Sequence, residues 1–300
     1  MEIGITFPEG ALSEDPGALR ELAQAAEQLG FSYVLALDHV LGAEHARRDP
    51  ALWGPYDERT PFREPFTLFS FMSGCTRRLG FVTGVLVLPQ RQTALVAKQA
   101  TEVALYCEGR FRLGVGVGWN YVEYEALGSE FGNRGLRQEE QVEVLRALLS
   151  RPLVSFEGRW HRLDRVAINP RSPYHVPIWF GGFSDVARER AIRLGDGFIF
   201  SRGTAAQAQS RSADEITAEV VDLGAELRGR LHDRGRTVDE FGLEGRCNLR
   251  DGLDQICRDR ERFISGGFSH LTVSTMTSEG PATHIAAMSR VAEAFALASA

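Results

Sequence analysis

The sequence predicts an α/β fold, a (β/α)8 TIM barrel with loop and β-hairpin insertions. Three observations predict it. Short apolar segments alternate with amphipathic helical segments along nearly all of the 300 residues. Eight such strands can be counted, each followed by a helix, and several are apolar enough to be covered on both faces. No linker breaks the rhythm, so residues 1–300 read as a single domain within the size range of one barrel.

Glu2–Phe7 opens the chain as a strand. Gly17–Leu29 follows as a helix, with Leu19, Leu22, Ala26 and Leu29 on one face and Gly30 ending it. Tyr33–Leu37 is the second strand and runs into Asp38-His39. Residues 42–62, rich in Pro, Gly and charge, form a long loop. Pro65–Arg78 reads as a helix and Phe81–Leu88 as the third strand. Thr93–Cys107 is helical because Val96, Ala100, Val103 and Cys107 recur at helical spacing. Arg110–Val117 is the fourth strand.

Asn133–Ser150 is an amphipathic helix. Pro152–Ile168 departs from the rhythm, and Val154 to Trp160 reads as a hairpin turning at Glu157-Gly158. Pro177–Phe180 is the fifth strand, followed by Gly181-Gly182 and a helix from Ser184 to Leu194. Gly197–Ser201 is the sixth strand. A helix near 211–232, a strand near 241–249 and a helix near 252–265 come next. The eighth strand is His270–Thr275, and the last helix, near 282–298, places Ile285, Met288, Ala292 and Phe295 on one face.

Composition narrows the function. With 34 Lys and Arg against 40 Asp and Glu, the net charge of −6 argues against nucleic acid as a partner. No apolar run reaches the ~18 residues of a membrane span. The N-terminus lacks the basic and apolar regions of a secretion signal, so the expected compartment is the cytoplasm. Cys75, Cys107, Cys247 and Cys257 have no metal-site spacing and read as free thiols, Cys75 and Cys107 within helices.

In a barrel, chemistry gathers at the strand C-termini. His39 stands at the end of the second strand, as a proton carrier or as a loop histidine; Asp38 beside it can hold a ring N–H or cap the loop. Only Asp38 and Glu9 join His39 there, and Glu44 and His45 follow nearby, too few convergent ligands for a metal-dependent hydrolase. Gly114, Gly116 and Gly118 lie in and just past a strand, which suggests backbone approaching a flat ligand rather than a dinucleotide turn. Gly181-Gly182-x-Ser184 opens a helix, either as a phosphate cradle or as a plain turn and cap. Trp119 can wall a planar ligand or pack on the rim. Arg202 and Arg246 are either solvated or available to a phosphate or carboxylate.

These residues carry a family resemblance. Asp38-His39, the segment Thr83-Gly84-Val85-Leu86-Val87-Leu88-Pro89-Gln90-Arg91 with Lys98-Gln99 beyond it, the block Gly109 to Trp119, and Gly195-Asp196-Gly197-Phe198 resemble the luciferase-like monooxygenase superfamily, in its coenzyme F420-dependent branch. The likeness spans nearly the whole chain. It implies a barrel with a redox ring across the strand C-termini, supported by a non-prolyl cis peptide at Gly84-Val85.

By the same resemblance, Val87, Val117 and Gly118 would contact the ring, Gly181, Gly182 and Ser184 would take the phosphate, and Asp38 would meet the ring's polar edge or orient His39. The implied activity is hydride transfer between F420 and a small organic substrate, with His39 as proton donor or acceptor and the protein positioning the ring. Members that oxidise sugar phosphates carry an acid after the glycine block. Trp119 stands there in this chain, so a hydrophobic or planar substrate fits better, with Trp53, Tyr56 and Tyr121 as further pocket candidates. Arg202 and Arg246 are candidates for the basic groove of an F420 tail. The alternatives are an FMN-dependent monooxygenase that activates oxygen on the same scaffold and a non-catalytic flavin- or deazaflavin-binding barrel. A homodimer is expected at the family level.

Overall fold

The computed structural model describes residues 1–9, 15–201, 211–275 and 280–298. Its strands are β1 (Glu2–Thr6), β2 (Tyr33–Ala36), β3 (Gly80–Thr83), β4 (Leu86–Val87), β5 (Phe111–Gly116), β6 (Val154–Glu157), β7 (Arg162–Val166), β8 (Ile178–Gly182), β9 (Gly197–Phe200), β10 (Gly242–Asn248) and β11 (His270–Ser274). The helices of four or more residues among the described ones are α1 (Pro16–Gln28), α2 (Pro65–Ser73), α3 (Thr93–Tyr106), α4 (Tyr121–Ala126), α5 (Arg134–Ser150), α6 (Asp185–Leu194), α7 (Ala213–Asp233), α8 (Leu253–Ser265) and α9 (Pro281–Ala294).

The nine-stranded sheet runs β3-β2-β1-β11-β10-β9-β8-β5-β4, and a further β3–β5 pairing closes it. Since β3 and β4 are two parts of one barrel strand, this is the eight-stranded parallel barrel predicted from the alternation. The Gly84-Val85 peptide between those parts is cis. The β6–β7 hairpin forms its own antiparallel sheet outside the barrel, and Glu140 of α5 binds its turn through the Arg159 and Trp160 N–H groups.

Period-two alternation divides the interior into two cores. Outward residues such as Ile3, Ile5, Val34, Phe81, Leu113, Phe180, Phe198 and Leu271 pack under the helices. Inward residues Tyr33, Leu35, Val82, Trp179 and Ile199 fill the barrel. The lower interior layer is polar. Arg112 pairs with Glu244, which accepts the Thr272 hydroxyl at 2.6 Å, and the Arg112 guanidinium lies 4.0 Å from the Trp179 ring. A broad cavity of about 1360 Å³ opens at this N-terminal rim. Arg112 in its lining is paired with Glu244, and His270 Nε2 lies 3.3 Å from the Glu2 carboxylate.

Three elements depart from expectation. The hairpin turns at residues 158–161 rather than at Glu157-Gly158, because Glu157 pairs with Arg162 and the Gly158 N–H donates to the His161 carbonyl at 2.9 Å. The helix at Pro65 ends at Ser73, five residues before Arg78, so Cys75 falls in the turn beyond it, where its thiol bonds the Met72 carbonyl at 3.2 Å. Helix α4 was absent from the periodicity because six residues carry less than two turns of pattern. None of the four cysteines is in a disulfide, as expected.

Candidate active site at the C-terminal rim

The imidazole of His39 follows β2 at the C-terminal rim. Its Nδ1 lies 3.0 Å from Glu123 Oε2. Glu123 is 2% exposed, and its other oxygen accepts the backbone N–H groups of Val40 and Leu41. A carboxylate so placed holds Nδ1 as the donor and leaves Nε2 with its lone pair. Glu123 escaped the sequence reading because it sits on α4. Its signal was the Asn-x-x-Glu pattern of a helix start, and Asn120 does cap α4 by accepting the Val122 and Glu123 N–H groups. In a capping box the acid would turn back to the cap backbone. Here it turns to the loop after β2 instead.

Asp38 has a different task. Its Oδ1 accepts Arg91 Nη2 at 2.6 Å, and its Oδ2 accepts Arg91 Nε at 3.1 Å and the Val87 N–H at 2.8 Å. Arg91 also bonds Glu64 at 3.0 Å. The carboxylate is 2% exposed and these contacts occupy both oxygens. Asp38 therefore anchors β4 to β2, and the orienting of the imidazole falls to Glu123.

Three aromatic rings surround His39: Phe62 at 4.8 Å, Tyr56 at 5.4 Å and Trp119 at 5.7 Å between centroids. Of the four pocket candidates, the structure brings Tyr56 and Trp119 to the imidazole and adds Phe62. Trp53 is 67% exposed and makes no ring contact with this group. Tyr121 donates its hydroxyl to the Pro50 carbonyl at 2.6 Å and ties down the 42–62 loop. His45 fixes the same loop through Nε2 to the Tyr56 carbonyl at 2.8 Å.

The glycines serve a purpose the sequence did not disclose. A Cβ at Gly116 or Gly181 would lie 2.4 or 2.5 Å from the Val85 side chain, and one at Gly118 would lie 2.7 Å from Val87. Their missing side chains are replaced by the valines of the third barrel strand. Val85 is nested between two glycines, and its remaining surface is half-exposed at the mouth. Gly118 also needs its φ of +63°, in the left-handed region. Tyr124 donates to the Val117 carbonyl at 2.7 Å and fixes that edge.

Gly182 closes β8 with a φ of +151°, and Ser184 caps α6 by accepting the Ala187 N–H at 3.2 Å. The cap leaves the Ser184 hydroxyl hydrogen and the first helical N–H groups as donors. Arg246 projects into the barrel from β10 and donates Nη2 to the Gly84 carbonyl at 3.4 Å, so it lies inside the mouth rather than in an outer groove. Arg202 lies outside the described residues. Glu9, just after β1, is 4% exposed and accepts the Arg63 N–H at 3.1 Å. Burial pushes its carboxyl up to about 8, so it is protonated at neutral pH.

No helix of the described residues is long and apolar enough to cross a membrane. An uncharacterised protein of Mycobacterium tuberculosis is 35% identical over 188 residues, 61% of this chain and 64% of that protein. The match thus spans just under two thirds of that relative's length. An F420-dependent glucose-6-phosphate dehydrogenase of Nakamurella multipartita is 30% identical over 75% of this chain and 63% of its own. An FMNH2-dependent dimethylsulfone monooxygenase of Pseudomonas fluorescens is 28% identical over 67% of this chain and 52% of its own. In fold, the chain superposes on the monooxygenase RslO1 of Streptomyces bottropensis with a TM-score of 0.74 at 20% identity, covering 99% and 98% of the two chains. A family model described as luciferase-like monooxygenase matches residues 1–283, and the chain belongs to that family of oxidoreductases and monooxygenases, which has both F420- and FMN-dependent members.

Proposed function

We propose that this chain is a coenzyme F420-dependent oxidoreductase that transfers a hydride between the deazaflavin and a small organic substrate. The observation that carries this reading is His39, held at Nδ1 by Glu123 and walled by Tyr56, Phe62 and Trp119. The F420-dependent relative matches more of the chain, at higher identity, than the FMNH2-dependent one. That second relative is the ground for the alternative, an FMN-dependent monooxygenase on the same scaffold.

The groups at the mouth match in chemistry what a planar redox ring with a phosphate tail needs. Val85, partly exposed between Gly116 and Gly181, offers an apolar contact, Arg246 offers positive charge, and the α6 N-terminus with Gly181, Gly182 and Ser184 offers donors to a phosphate. Backbone at Gly84, Val87, Val117 and Gly118 borders the same surface. When bound, the deazaflavin supplies the hydride chemistry. The protein's part is position and proton. His39 Nε2 takes the substrate's hydroxyl proton in oxidation, or returns it in reduction as the imidazolium. Glu123 holds the tautomer that leaves Nε2 free to do so. The three rings exclude water and favour an apolar, planar substrate, which agrees with Trp119 standing where a carboxylate would serve a sugar phosphate. A homodimer is part of the same proposal.

The test is a fluorescence titration of purified protein with F420 and, separately, with FMN. Micromolar binding of F420 with no FMN binding is the expected result. FMN binding alone would transfer the assignment to the monooxygenase, and binding of neither would remove the proposal.

A further inference from the structure

Arg246 is not explained by the fold. Along β10 the residues at 244, 246 and 248 face inward. Glu244 is used by Arg112 and Thr272, and Asn248 accepts the Arg250 N–H at 3.0 Å. Arg246 lies between them, half-buried, and among the described residues its hydrogen bond is one long contact of 3.4 Å to the Gly84 carbonyl. The arginines nearest the barrel interior and its rim have carboxylates: Arg91 has Asp38 and Glu64, and Arg112 has Glu244. Arg236, half-buried on the outside of the barrel, is instead held by three backbone carbonyls. Among the described residues, no carboxylate lies within ion-pair distance of Arg246. Burial pushes the Tyr56 phenol up and the nearby Arg246 charge opposes that rise, and the Tyr56 ring lies 5.4 Å from that of His39.

A guanidinium taken partly out of water without a counter-anion is unfavourable, and removing water from a site strengthens its pull on any anion that arrives. The Gly84 carbonyl fixes where the guanidinium sits, at the cis peptide beside the Val85 surface. The occupant that matches it is a planar ligand whose edge gains negative charge.

We propose that Arg246 is the counter-cation for the negative charge that the ring acquires on two-electron reduction, and so favours the reduced form of the cofactor. This rests on the proposed ring-binding function. A substrate carboxylate is the other source of such an anion, and measuring the binary complex without substrate separates the two. Arg246 acts on the ring's charge and moves no proton itself.

The experiment measures dissociation constants for oxidised and reduced F420 under anaerobic conditions, for the wild type, Arg246→Gln and Arg246→Lys. The expected result is that Arg246→Gln raises the ratio of reduced to oxidised dissociation constant at least tenfold, with Arg246→Lys within about threefold of wild type. For a two-electron couple a tenfold change corresponds to about 30 mV in midpoint potential, which a spectroelectrochemical titration reads independently. A wild-type ratio in Arg246→Gln overturns the proposal, as does equal weakening of both redox forms, which marks a purely structural role. If Arg246→Gln does not fold, Arg246→Met reads the same ratio with the stem retained. Failure of wild-type protein to bind oxidised F420 removes the functional reading itself, a result distinct from an unchanged ratio.

Discussion

Replacing Glu123 by Gln tests how the imidazole is held. The amide has nearly the same shape. Its oxygen can go on accepting the Val40 and Leu41 N–H groups, which now meet Oε1. Its NH2 then faces His39 Nδ1, where Oε2 stands 3.0 Å away. Two donors cannot share that contact, so the ring moves its proton to Nε2 and presents a donor to the mouth. The exchange also replaces hydrogen bonds to a charged acceptor, each of about 1.5–3 kcal/mol, by neutral ones of about 0.5–1.5 kcal/mol. A loss of about 1–3 kcal/mol in unfolding free energy is expected. The assay is urea denaturation together with nitrogen NMR of the imidazole. The expected result is a proton on Nδ1 in the wild type and on Nε2 in the variant. Once a substrate is in hand, kcat should fall by about two to four orders of magnitude, the size seen when a buried acid no longer fixes a catalytic tautomer. F420 affinity should stay within about threefold. An unchanged tautomer with unchanged stability would refute the claim that Glu123 positions His39.

Other outcomes follow from neighbouring contacts. Asp38→Asn should cost about 3 kcal/mol, because it leaves Arg91 with Glu64 alone in a buried setting; unfolding by denaturant measures it, and a loss below about 0.5 kcal/mol would contradict the anchoring role. Gly181→Ala should destabilise by about 1–3 kcal/mol through its clash with Val85, and Val85→Ala in the same chain should recover part of that loss; thermal melts of both compare directly. Glu9 holds its proton up to about 8 in the fold but only to the usual 4.5 when unfolded. The native state therefore binds the extra proton between those values, and the stability associated with it declines as pH rises through that window and levels off above it. Glu9→Gln should flatten this decline, so that melts at pH 9 favour the variant while melts at pH 5 do not. Equal pH slopes in the two proteins would contradict it.

How far the sequence alone carries depends on the kind of signal. The barrel was legible because alternating strands and helices impose their periods over many residues, and β8, β9 and β11 fell within a few residues of expectation. His39 and Trp119 stand out in sequence because they follow strand ends, and Tyr56 as an aromatic on a neighbouring loop; the structure brings the three rings together. Glu123 was not found. Its helix is one of six residues, and its partner lies 84 positions away, a contact that exists only once the β5 and β2 ends converge. Asp38 stands out beside His39, but its partner Arg91 is 53 positions away, and adjacency in sequence suggests the wrong pairing. The glycines were read as space for a ligand. Only coordinates show that Val85 and Val87 occupy the space beside them. Tyr121 and Trp53 show the limit of composition as a guide: an aromatic on a site loop can as well clamp the loop or face solvent.

The most direct measurement of the central claim is a crystal structure of the protein with F420. The account predicts the ring across the ends of β4, β5 and β8, resting on Val85, with His39 Nε2 facing the substrate space beside it and Nδ1 still on Glu123. A ring bound in the N-terminal cavity near Arg112 and Trp179, or His39 turned away from the ligand, would contradict it.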